Sequence, residues 1–225
     1  MSEADNVTTM SELIKDQKPK QSIWTQLCES FEKITDEAEI HHAAEQLEPL
    51  LSKDWTYSMR FTPARWIERL LEGDPLDWMI ITRSLDLRGK RIGYVDADLL
   101  SQSPELLHIR HLNLAYNGLQ NAGTRALIST DVVRNLTYLD LSGNSIEFGG
   151  IEAMVQCSYL SGLKHLDLTG NWVDDAAAKL IANCEHFSNL ETLILRGNPV
   201  KQDGAEALSN SPYLNDSIKD KWKNP

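Results

Sequence analysis

A fixed step of 27 residues runs through more than half of this sequence. The stretches "IRHLNLAYNGL" (109–119), "LTYLDLSGNSI" (136–146), "LKHLDLTGNWV" (163–173) and "LETLILRGNPV" (190–200) align without a gap. Leu112, Leu139, Leu166 and Leu193 fall in one column, and Asn117, Asn144, Asn171 and Asn198 in another. One step earlier, "TRSLDLRGKRI" (82–92) keeps Leu85, Leu87 and Ile92 but carries Lys90 in the asparagine column, which marks a degenerate first copy. A period of this length means one supersecondary unit stacked on copies of itself.

Two periodicities alternate inside each copy. The Leu-x-Leu alternation turns two leucines to one face of a strand. The segment after the asparagine switches to helical spacing, as in Ala122, Ala126 and Leu127 or Ala176, Leu180 and Ile181. One strand and one helix cannot bury both apolar faces alone, so the copies are expected to stack, parallel strands inside and helices outside. Gly123, Gly150 and Gly204, with Ala177 in the same column, follow each asparagine by six residues. Small residues there let a helix start approach its neighbour, and no glycine-rich phosphate-binding motif accompanies them.

The pattern L-x-x-L-x-L-x-x-N-x-L resembles the leucine-rich repeat, and the 27-residue length with a helical segment in each copy is similar to the ribonuclease-inhibitor type. The resemblance covers about residues 82–214, one degenerate and four full copies. It implies an α/β fold: a right-handed solenoid, a short horseshoe with strands on the concave face and helices on the convex face. It further implies that each asparagine amide satisfies backbone groups of its own loop and of the neighbouring repeat, which Lys90 cannot do. In function it implies a non-catalytic protein-interaction module or adaptor that binds through the concave face. Relatives that inhibit a nuclease or activate a GTPase give a rival reading, a regulator of another enzyme, with Arg88 or Arg196 as its charged contact. A secreted bacterial effector, with the first 20 residues as export signal, is a further alternative.

The ends of the array need caps, because a stack otherwise exposes apolar surface. Residues 1–20 lack periodicity and are expected to be a disordered tail. Residues 21–81 are expected to form a helical cap: Ile23, Leu27, Phe31 and Ile34 make one stripe and Ala43, Leu47 and Leu50 a second. "TPARWIERLLEGDP" offers Thr62 as N-cap, Pro63 at the first helical position, and Gly73 with Pro75 as the stop. Trp24, Trp55, Trp66 and Trp78 all lie in this region and are expected in its core. Residues 215–225 read as a C-terminal cap anchored by Ile218 and Trp222, with Lys219, Lys221 and Lys223 facing water.

The start of the chain carries acids near the front and no basic or apolar signal segment, and no apolar run approaches the length of a membrane span, so a soluble cytoplasmic protein is expected. Cys28, Cys157 and Cys184 match neither a zinc site nor a redox pair and are expected as free thiols. The last two occupy one repeat position, where helices about 8–10 Å apart are too distant for a disulfide. The net charge of −11 is uneven: residues 1–80 carry 16 acids against 8 bases, and 81–225 carry 17 against 14. Nucleic acid is therefore disfavoured as a partner, as the lack of an apolar span disfavours a membrane, and a protein with a basic surface would suit the acidic N-terminal part.

Three columns of side chains flank the strand leucines and face the concave side. They are Ser84, His111, Tyr138, His165 and Thr192; Asp86, Asn113, Asp140, Asp167 and Ile194; and Arg88, Ala115, Ser142, Thr169 and Arg196. Strands about 4.8 Å apart make these columns contiguous. Asp140 and Asp167 are expected to be exposed neighbours, short of the convergent oxygen set a metal needs. The expected partner-binding residues are Asp86, Arg88, His111, Asn113, Tyr116, Tyr138, Asp140, His165, Asp167, Thr169 and Arg196. No metal, cofactor or catalytic residue is expected, since no nucleophile-base arrangement has a supporting motif.

Overall fold

The computed structural model describes residues 3–15, 18–56, 59–72 and 77–223, except for the side chains of residues 3–6 and Trp78. The chain divides into two units, residues 1–85 and 86–225. The first is helical: α1 (Glu3–Ile14), α2 (Gln21–Phe31), α3 (Glu37–Asp54) and α4 (Ala64–Leu71), followed by a 3-10 turn over Asp77–Ile81. The disordered tail expected over residues 1–20 is corrected by α1, whose Met10 and Ile14 are buried one turn apart and which packs on α2 and α3. Val7, Met10, Leu13 and Ile14 fall at helical spacing, a short stripe outside the repeat period.

Trp24, Trp55 and Trp66 are buried, and the Trp24 indole donates to Phe61 O at 2.7 Å. Ile34 is buried too, but beyond the end of α2, in the turn that follows it. Leu51 takes the core position read for Leu50, which is 38% exposed. Pro63, in extended backbone, takes the N-cap position of α4; Thr62 instead donates its hydroxyl to Ser84 O at 3.0 Å. The stop read at Gly73 and Pro75 lies outside the described residues. Arg60, wholly buried, forks onto both oxygens of Glu48 at 2.9 and 2.6 Å and donates to Ile81 O at 2.9 Å. Burial alone would raise the Glu48 carboxyl, but hydrogen bonds from Arg60 and Ser52 and the charges of Arg60 and Arg83 bring it down to about 2. Charge at these positions carries no hydrophobic pattern, so the sequence gives no sign of this buried ion pair.

The repeats follow as β1 (Ser84–Asp86), α5 (Tyr94–Ser101), β2 (His111–Asn113), α6 (Gln120–Leu127), β3 (Tyr138–Asp140), α7 (Phe148–Gln156), β4 (His165–Asp167), α8 (Asp175–Ala182), β5 (Thr192–Ile194), α9 (Gln202–Ser209) and α10 (Asp216–Lys219). Five parallel strands form one sheet in the order β1-β2-β3-β4-β5. The register is that of the 27-residue step: Leu112 opposite Leu139, Leu139 opposite Leu166, Leu166 opposite Leu193. Both leucines of every strand are buried. From α5 to α9 each helix packs on the next; Ala126, Leu127 and Ile181 are buried as read from the sequence, whereas Gly123 in α6 and Ala177 and Ala178 in α8 take the core places read for Ala122, Ala176 and Leu180.

The ladder already has a rung inside the first unit. Arg83 N and Ser84 N both donate to Arg60 O, at 2.7 and 3.0 Å. Thr137 N and Tyr138 N treat Arg110 O in the same way, as Glu191 N and Thr192 N treat Lys164 O. The repeat pattern of hydrogen bonds thus starts one strand before the sequence shows it.

The glycine column is set by helix packing. A Cβ on Gly150 would meet Ile146 Cγ2 at 2.6 Å, and one on Gly204 would meet Asp175 Oδ1 at 2.7 Å. Helix starts are also capped across repeats. Asp174 accepts from Ala177 N in its own helix at 2.9 Å, while Asp175 accepts from Lys201 N and Gly204 N at the start of α9, at 2.7 and 3.0 Å. Asn121 does the same for α7 through Glu147 N and Gly150 N. At the far end Ile218 is buried, Trp222 half-buried, and α10 packs on β5 and α9. Lys219 is half-buried and paired with Asp216 at 2.8 Å, whereas Lys221 and Lys223 are exposed. The three cysteines are free and buried, and burial pushes all three thiols up.

The asparagines join one copy to the one before it. Asn144 Nδ2 donates to Leu114 O at 2.8 Å and Leu141 O at 3.0 Å, and its Oδ1 accepts from Asn117 N and Leu119 N at 3.0 and 3.2 Å. Asn171 repeats all four contacts one step on, and Asn117 braces Leu87 O and Ile92 N of the first copy. Since the brace reaches backward, the first copy is held by Asn117, and Lys90, exposed, has no copy behind it to hold. Removing Asn144 leaves two buried amides, Asn117 N and Leu119 N, unpaired, each at about 1–3 kcal/mol, while Leu114 O and Leu141 O keep Asn117 and Asn171 as donors. Asn144→Ala is expected to lose at least about 2 kcal/mol in urea unfolding, against under about 0.5 kcal/mol for Lys90→Ala. Equal losses would contradict the backward brace.

Candidate functional site

The concave columns are positioned by strands whose leucines are locked in the core. Parallel register puts His111 opposite Tyr138 and Tyr138 opposite His165. Their rings stack: centroids are 5.3 Å apart at 22° for the first pair and 4.3 Å apart at 4° for the second. The three rings cross the middle of the sheet, half-buried, with Tyr138 between the two imidazoles.

The neighbouring column has a second task at the strand ends. Asp86, Asn113, Asp140 and Asp167 each accept, through Oδ1, the amide hydrogen two residues on, at 3.0, 3.0, 2.9 and 2.8 Å. These are Asx turns that end the strands. Asp140, read from the sequence as exposed, is 8% exposed: it is central in the sheet and Ser142 after it is also buried. Asp86 is exposed and Asp167 half-buried, so the accessible charge of this column lies on either side of Asp140. Asn113, in the same column, makes the turn without a charge. The carboxylates of Asp86, Asp140 and Asp167 therefore exceed what the turn requires.

Burial is the largest influence on the stacked groups. It lowers His111, helped by the charge of His165, and it lowers His165 although Asp167 and Asp140 pull the other way. Burial raises the Tyr138 phenol, and Asp140, Asp167 and Asp86 raise it further. The face is thus ordered to favour neutral rings beside the carboxylate column. Among the described residues no group of three or more histidines, cysteines or carboxylates is placed to hold a metal.

The remaining predicted residues lie at the margins. Thr169 is half-buried in the third column, and Arg88 and Arg196 are exposed at opposite ends of the sheet. Tyr116 is not on a strand but in the turn after β2, 56% exposed, with the Arg88 guanidinium carbon 4.7 Å from its ring centroid. Sequence reasoning missed Trp172, 61% exposed in the turn after β4. The signal was available: the same position in the other copies holds Arg91, Gly118, Ser145 and Pro199, so a large aromatic breaks the column.

Both imidazoles release their protons more readily in the fold than at the ordinary value of 6.5. The unfolded chain therefore binds more protons, and their contribution to stability is present above pH 6.5 and lost as the pH falls through the lower folded values. NMR titration of the ring protons is expected to give midpoints below 6.5 for His111 and His165. A midpoint at or above that value would mean that the carboxylates outweigh burial.

The sequence matches the pattern of the family described as "Leucine Rich repeat" at residues 105–127, 134–155, 162–182 and 188–209. A search of curated proteins found no match. No helix among the described residues is long and apolar enough to cross a membrane. Repeats of this family generally mediate protein–protein interaction and are typically non-catalytic. Four consecutive matches, laid on parallel strands that alternate with helices and are joined by the asparagine brace, show that residues 105–209 of this chain are leucine-rich repeats.

Proposed function

We propose that the chain is a non-catalytic interaction module, an adaptor that binds a protein through the concave face of β1–β5. The observation that carries this reading is the His111–Tyr138–His165 stack beside carboxylates that the turns do not need as charges. A face built only for solubility has no use for three rings held in register. The favoured partner surface is basic. Between Arg88 and Arg196 the three concave columns carry Asp86, Asp140 and Asp167 and no lysine or arginine. Opposite charge across an interface sets orientation and encounter rate, and it disfavours nucleic acid on the same face. The repeat length and the helices behind the strands support the ribonuclease-inhibitor-like type. Residues 21–81 are proposed as the N-terminal cap, supported by the extra rung at Arg60.

Asp167→Asn separates binding from folding, because an asparagine already makes this turn at position 113. The variant is expected to melt within about 2 °C of the parent, since surface changes that keep their contacts stay within about 0.5 kcal/mol. Its affinity for the partner that co-purifies from the host is expected to fall several-fold, with a weaker dependence on salt. Unchanged affinity in both Asp167→Asn and Tyr138→Ala would move the binding surface off the concave face.

A further inference from the structure

The turn after each strand shares one position in the left-handed region, and the first three copies add a second at Arg91, Gly118 and Ser145. Gly89, Gly143, Gly170 and Gly197 hold the shared position with φ between 64° and 70°. The second copy places Tyr116 there, with φ 57°. Side chains rarely adopt this backbone, and doing so stores strain that persists only where something holds it. Four sister copies show that glycine satisfies the turn, so the fold does not ask for a tyrosine.

What holds the tyrosine is visible. Its ring lies against Gly143, where an added Cβ would stand 2.6 Å from Cδ1 and 2.7 Å from Cε1. Arg88 lies 4.7 Å from the ring centroid, a cation–π contact that fixes the guanidinium in place. Asp86, the nearest acid in sequence, accepts the backbone N–H of Arg88 at 3.0 Å and forms no ion pair with its side chain. Among the described residues the guanidinium has no hydrogen-bond or ion-pair partner. A planar fork of five donors, already ordered and unpaired at the end of an otherwise acidic face, matches a carboxylate in two parallel hydrogen bonds.

We infer that Arg88 and Tyr116 form a preformed anchor for a carboxylate side chain of the partner protein, at the β1–β2 end of the concave face. The inference rests on the concave-face reading and sharpens it. The partner segment carries a basic residue over Asp167 and an acidic one at Arg88. The two copies concerned are three strands apart, about 14 Å at the usual strand spacing, which an extended chain covers in about four or five residues. Charge order along the segment, basic then acidic, thereby fixes its direction on the face.

The probes are two blocked heptapeptides, each with a lysine near its start; one carries a glutamate five residues later and the other a glutamine. Each is titrated into the isotope-labelled full chain and followed by NMR. The glutamate peptide is expected to bind at least fivefold tighter and to move the Arg88 Nε–H signal, and Arg88→Gln is expected to erase the difference. Tyr116→Gly is expected to match or exceed the parent in melting temperature while losing most of the preference. Equal binding of the two peptides, with shifts at Tyr138 and His165, would overturn the anchor and leave the concave-face reading standing. No shift at Tyr138 or His165 with either peptide would bring down both. A lower melting temperature in Tyr116→Gly with the preference intact would make the tyrosine part of the turn and overturn the anchor.

Discussion

The array depends on a side-chain amide that serves two copies at once. Each asparagine spends both donor hydrogens and its acceptor on backbone groups, some in its own turn and some in the copy before it. At Asn117, Asn144 and Asn171 the side chain is buried, so one amide satisfies the turn and the stacking together. The direction of the brace explains the asymmetry of the ends. The first copy is held by its successor and tolerates Lys90. The last has no successor, and its closure falls to other groups: Asn215 donates to Leu190 O and Ile218 is buried.

Fixing every strand in one register is what gives the concave face its chemistry. Three rings stack because their columns cannot slip, and carboxylates line up because each is tied to the amide two residues on. A surface ordered before a partner arrives loses little freedom on binding. The same order explains how Tyr116 survives in a backbone conformation that glycine holds elsewhere. Gly143 opens the space for its ring and Arg88 covers it. The strain is local and the contacts that support it belong to neighbouring copies.

Most of the repeat fold was legible because it is written in period: the leucine columns, the asparagine column and the helix-start glycines all recur every 27 residues. What recurs only once was not. In α1 the stripe of Val7, Met10, Leu13 and Ile14 is short and stands alone, with polar residues on either side. The Arg60–Glu48 pair brings together residues 12 apart in sequence through burial that no pattern announces. In the candidate site, column membership was readable but exposure was not. Asp140 sits in the same column as Asp86, yet one is buried in mid-sheet and the other exposed at its edge. Trp172 was readable as a break in its column, a signal that lies in a turn and not on a strand face.

The central claim is that a protein partner docks on the concave face, and site-specific photo-crosslinking in the native host tests it most directly. A photoreactive residue placed at Tyr138, and in a second strain at the exposed convex position Glu152 of α7, reports which side touches the partner. The account predicts one crosslinked protein of basic surface from position 138 and none of that identity from 152. The same adduct from 152, with none from 138, would contradict it.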